Sequence, residues 1–128
     1  MKTFNLCTLL SVIAVVSAFS INAQQYRFIA NDNSFASKIC VLVGSNDIAK
    51  LKLTFRRYDL NKHHIANDYK CNELALSKFA FKYNADQTFK YINRYSHYDN
   101  KVTPSVTISD VAMNTLTHQQ EPIIVYIN

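Results

Sequence analysis

Four histidines, His63, His64, His97 and His118, are the first place to look for a metal or a proton-transfer site. None pairs with another at i, i+4, and no acid or cysteine is read at ligand spacing to any of them. His63 and His64 are neighbours in a segment read as a loop, where adjacent side chains diverge, so all four read as incidental surface groups and no metal or cofactor is expected. With a single glycine, Gly44, the chain cannot build a nucleophile elbow, a phosphate-cradling loop or a dinucleotide fingerprint. Glu73, Asp86, Asp99 and Asp110 stand where caps and turns want acids. No nucleophile has a visible base, which argues against an enzyme. The most suggestive group is a run in which Lys90 and Arg94, and beside them Tyr91 and Tyr95, are spaced four apart. On a helix these make two adjacent rows, with Tyr98 extending the second, and tyrosine and arginine are the residues that anchor protein interfaces. The competing reading has the tyrosines covering the edge of the core with their hydroxyls in water.

Two cysteines, Cys40 and Cys71, remain once a leader is set aside. Residues 1–23 have the grammar of a secretory signal: a positive start at Lys2, an apolar stretch from Leu9 to Phe19, then small residues, with cleavage after Ala23 or, second, after Ala18. That stretch is shorter than the roughly 20 apolar residues a spanning helix needs. Cys7 leaves with the leader. Residues 24–128 are then one small soluble domain, not an integral membrane protein, in an oxidising compartment where Cys40 and Cys71 are expected to be bonded. Two buried free thiols, or redox chemistry, are the alternatives; there is no Cys-x-x-Cys spacing. The sequence has no Asn-x-Ser/Thr sequon, which favours a bacterial envelope over a glycosylating pathway. A net charge of +5, one unit of it from Lys2, is spread along the chain and gives no argument for nucleic-acid binding.

The elements that must position these residues read as a mainly α domain of about four helices in two hairpins, with a minor C-terminal β element and one disulfide. The first helix opens at Asn33 or Ser34, places Phe35, Ile39, Leu42 and Val43 on one face, and ends with Gly44 as its C-cap. A second follows the Ser45-Asn46-Asp47 cluster, with Ile48, Leu51, Phe55 and Tyr58 inward and Lys50, Lys52, Arg56 and Arg57 as a solvated face. Asp59 to Lys70 reads as a long loop with a short extended piece at Ile65. The third helix runs from Asn72 to about Tyr83, burying Leu76, Phe79, Ala80 and Tyr83. A fourth runs from Asp86 to about Tyr95, burying Phe89 and Ile92. Val102, Val106, Ile108 and Ile123–Ile127 are rich in β-branched residues, with one short helical turn between them from Ser109-Asp110 to Met113.

At Ile39-Cys40-Val41, Ser45-Asn46-Asp47, Lys70-Cys71-Asn72 and the run from Thr88 to Tyr95, the chain resembles a family of short exported two-cysteine proteins of marine gamma-proteobacteria, a domain of unknown function. The resemblance runs from about Phe28 to Val111. It implies a periplasmic location and a Cys40–Cys71 pair, and no activity, cofactor or catalytic residue. The leading expectation is a non-enzymatic periplasmic or secreted interaction module with a protein partner in the envelope. An inhibitor or immunity-type protein that blocks an exported enzyme through the Asp59–Lys70 loop is second. An enzyme with a cryptic carboxylate or histidine site is third.

Overall fold

The computed structural model describes residues 25–105 and 121–128. Along the chain run β1 (Tyr26–Ala30), α1 (Phe35–Gly44), α2 (Ile48–Arg57), α3 (Lys62–Asp68), β2 (Lys70–Cys71), β3 (Leu74–Ala75), α4 (Leu76–Lys82), α5 (Asp86–Asn93) and β4 (Ile123–Ile127). The domain is mainly α, as the apolar spacing implies. The signal segment, the turn at Ser109–Met113, Val106, Ile108 and His118 lie outside the described residues.

Both helical hairpins are present, α1 packing on α2 and α4 on α5. Ser34 caps α1, its hydroxyl accepting from the Ser37 N–H at 3.1 Å. Asp32 braces that cap by accepting the Ser34 N–H at 2.9 Å. Hydrogen bonds from Ser34 and Ser37 favour the ionised form and hold the Asp32 carboxyl below the usual carboxylate range. Asp47 caps α2 by accepting the Lys50 N–H at 3.0 Å; that bond, with the Lys50 ammonium, likewise keeps the Asp47 carboxyl low.

Three helices end in the same way, and none uses glycine. Asn46, Asp59 and Asn84, with φ of 58, 47 and 55°, are the left-handed residues that follow the C-caps of α1, α2 and α4. In each case the next residue's N–H reaches back to the helix: Asp47 to Leu42 O (3.1 Å), Leu60 to Phe55 O (2.9 Å), Ala85 to Ala80 O (2.9 Å). This is the Schellman closure, and Asn or Asp can take the left-handed position because the short polar side chain tolerates it.

Gly44 is therefore not the C-cap. It is the last residue of α1 and is buried, because the Phe28 ring of β1 lies where a side chain would start: a Cβ at Gly44 would meet Phe28 ring atoms at 2.7 Å. Gly44→Ala must push the ring or the strand aside and is expected to cost about 1–3 kcal/mol. Urea denaturation of Gly44→Ala with and without Phe28→Leu checks this. The smaller side chain should recover part of the loss, and a Gly44→Ala variant as stable as the parent would contradict the packing.

The segment from Asp59 to Lys70 contains a helix rather than an extended piece at Ile65. Asn61 caps α3 through bonds to the His63 and His64 N–H groups (3.0 and 3.1 Å), and two short turns suffice to bury Ile65 and Ala66. Five helices are thus present among the described residues. The next helix starts later than expected: Asn72 and Glu73, both at positive φ (47 and 67°), form the two-residue turn of the β2–β3 hairpin, and α4 begins only at Leu76.

The C-terminal β element pairs with a strand that the sequence reading did not pick out. β1 and β4 lie parallel, Tyr26 opposite Ile123 through Ala30 opposite Ile127. Ile127 is fully buried with Phe28, Ile39, Val43, Leu51, Phe55, Ile65, Leu76, Phe79 and Ile92 in one core. Leu42 and Tyr83 are only half-buried, and Tyr58 is exposed. Cys40 and Cys71 form a disulfide, Cα to Cα 5.6 Å, which ties the middle of α1 to β2.

Candidate functional site

The two rows read on the fourth helix start on α5 at Lys90 and Tyr91, but the helix ends at Asn93, short of the expected end near Tyr95: Arg94 is its C-cap and Tyr95 stands in the turn that follows. Lys90 and Arg94 are exposed; Tyr91 and Tyr95 are half-buried at the margin of the core. The tyrosine rings meet edge to face with centroids 5.5 Å apart. Tyr91 also packs on Phe55 of α2, centroids 6.0 Å apart. Both tyrosines thus cover the edge of the core, with part of each ring left accessible.

Cations from two further helices complete the surface. Lys52 Nζ of α2 sits 5.3 Å from the Tyr91 ring centroid, and Lys62 Nζ, at the first residue of α3, sits 5.4 Å from that of Tyr95. Each is an ammonium over a π face, an arrangement worth roughly 0.5–1 kcal/mol at exposed sites. Between α2 and α5 lies a hollow of about 370 Å³, lined by Lys52, Phe55, Arg56, Asp59, Lys62 and Tyr91 among others, with Asp59 the one acid in that lining.

Asparagines hold this face in place. Asn67 of α3 donates to the Tyr95 carbonyl (3.1 Å) and accepts the His97 N–H (2.6 Å), fixing the turn after α5. His63 Nδ1 donates to the same Tyr95 carbonyl at 3.2 Å while its ring meets Tyr95 edge-on. At the other end of α5, Ala85 offers no side-chain cap, and Asn46 supplies one from the α1–α2 turn. Its Oδ1 accepts the Gln87 and Thr88 N–H groups at 2.8 and 3.1 Å. The buried Thr88 hydroxyl donates to the Val43 carbonyl at 2.7 Å. Asn93 pairs through its amide with both backbone groups of Val102, each at 2.8 Å. Val102, expected in an extended β piece, is instead strapped to α5 and belongs to no strand.

The reading of the histidines is corrected at one point. His64 and Asp68 are four apart, and α3 brings the imidazole Nδ1 and the carboxylate together on its exposed side. A helix is what makes that spacing matter. No group of three or more His, Cys, Asp or Glu side chains placed to hold a metal occurs among the described residues.

Sequence reasoning found the α5 half of the face and missed Lys52, Arg56, Lys62 and His63. Lys52 and Arg56 are exposed, as the solvated-face reading has it, and the i, i+4 pair they make beside Phe55 is the signal that joins them to the tyrosines. Lys62 and His63 required α3 to be recognised.

A family model described as a protein of unknown function, DUF3718, matches residues 39–113. The chain belongs to this family. The DUF3718 segment contains both cysteines and all of α2, α3, α4 and α5, and so the whole basic-aromatic face. The paired strands β1 and β4 both lie outside it. No curated protein and no solved structure matches the chain. Among the described residues, no helix is long and apolar enough to cross a membrane.

Proposed function

We propose that this protein is a non-enzymatic, exported interaction module that binds a protein partner in the bacterial envelope through the face formed by α2, α3 and α5. The observation that carries the reading is the edge-to-face Tyr91–Tyr95 pair with Lys52 and Lys62 set over its rings. Aromatic anchors with basic neighbours provide contact area and charge attraction to an acidic partner surface. Export is supported by the apolar leader and by the Cys40–Cys71 bond, since such bonds persist in oxidising compartments. Residues 24–128 would be the mature domain, after cleavage at Ala23.

An inhibitor or immunity-type role is the second reading. It is favoured by α3, which brings Lys62 and His63 from the Asp59–Lys70 segment onto the same face as Tyr95. The interface expected on α5 and the one expected on that segment are then a single surface. A cryptic-site enzyme would need a carboxylate facing a histidine inside an enclosed pocket.

The test is capture of partners from envelope extracts on the immobilised whole protein, at low and high salt, beside Lys62→Glu/Arg94→Glu. Both positions are exposed, so the fold should be untouched, whereas Tyr91→Ala would also strip packing from Phe55. One partner held by the parent and bound about tenfold more weakly by the charge variant is expected. No partner, or one held equally by both proteins, would end the reading.

A further inference from the structure

On the other side of α2 lies a groove of about 480 Å³ between β1, α1 and α2, within the roughly 300–1,000 Å³ of small-ligand sites. Its apolar walls are Phe28, Phe35, Val41, Leu42 and Tyr58. Phe35 and Tyr58 close one wall with an edge-to-face contact, centroids 5.3 Å apart. Its polar side-chain groups are few: the Thr54 and Tyr58 hydroxyls and two cations, Lys38 of α1 and Arg57 of α2, with no acid in the lining. Lys38 and Arg57 are exposed and enter no ion pair among the described residues.

We infer that this groove binds a free anionic amphiphile, a monocarboxylic acid with an unbranched acyl tail. The tail lies along Phe28, Val41 and Leu42, and the carboxylate sits between Lys38 and Arg57. The charge pattern selects the head group, since a planar guanidinium matches a carboxylate with two parallel hydrogen bonds and a lysine adds a point charge. The apolar walls select the tail, because burying its methylenes removes apolar surface from water. A cationic or neutral amphiphile of equal length would gain the second term without the first. The half-burial of Leu42, expected from its spacing to lie in the core, follows from its place in this wall.

The test is titration of the whole, disulfide-intact protein with decanoate below its micellar concentration, followed by backbone amide NMR. Saturable one-to-one shifts centred on Val41, Leu42 and Thr54 are expected. Decan-1-ol, decyltrimethylammonium and the Lys38→Gln/Arg57→Gln variant should each give binding about tenfold weaker. Lys62→Glu/Arg94→Glu should leave decanoate binding unchanged, which separates this site from the protein-binding face. Shifts that do not saturate or lie elsewhere, equal binding of the alcohol, or an unaffected double-Gln variant would each overturn the assignment.

Discussion

Replacing Cys40 and Cys71 together by alanine is expected to lower stability by about 3–4 kcal/mol. The bond closes a segment of sequence separation 31 that carries the second half of α1, all of α2 and all of α3. In the unfolded chain that segment is free once the bond is gone, and the loop-closure entropy recovered sets most of the cost. α3 suffers most: it has two turns and buries only Ile65 and Ala66, so its own packing cannot replace the constraint. Both sulfurs are buried, which adds a packing loss. Urea unfolding of parent and variant measures the difference, with intact mass before and after reduction confirming the parent bond. A loss under about 1 kcal/mol would mean that the unfolded segment is already constrained without the bond.

Ile127→Ala is expected to cost about 2–5 kcal/mol, while Ile124→Ala, three positions earlier on the same strand, should stay within about 0.5 kcal/mol. The contrast follows from the pleat. Ile127 is 0% exposed and closes the core beside Phe28; Ile124 is 48% exposed and faces water. Loss at Ile127 would also weaken the β1–β4 pairing that holds Phe28 over Gly44. Thermal unfolding of the two variants, prepared alike, decides between them. Similar effects at both positions would contradict the parallel register.

What could be read from sequence follows how far each signal extends along the chain. α1, α2 and α5 carry apolar residues at steps of three and four over two or three turns, and Ser34 and Asp47 cap α1 and α2 where expected. α3 carries two buried residues beside five polar ones, so no period shows; Asn61 is its one legible mark. β1 is five residues long, and its partner is remote in sequence. Nothing in Tyr26-Arg27-Phe28-Ile29-Ala30 alone tells a strand from a linker. Gly44 misled because a glycine at a helix end usually supplies a left-handed residue, whereas here Asn46 supplies it and the glycine makes room for a ring. The site was half legible for a related reason. Tyr91 and Tyr95 are four apart across the end of α5, a spacing visible in the sequence, but their cations come from helices whose approach depends on the tertiary packing.

The pairing of β1 with β4 also bears on the order in which the molecule is made. The two strands lie 97 positions apart in the chain and run in the same direction, so β1 is synthesised long before the edge it needs exists. Until β4 emerges, Tyr26 and Phe28 have no strand beside them, and the helices can assemble only around an open seam. The sheet, and the burial of Ile127 that goes with it, can therefore form only once residues 123–127 have been made, whatever the helices have already assembled.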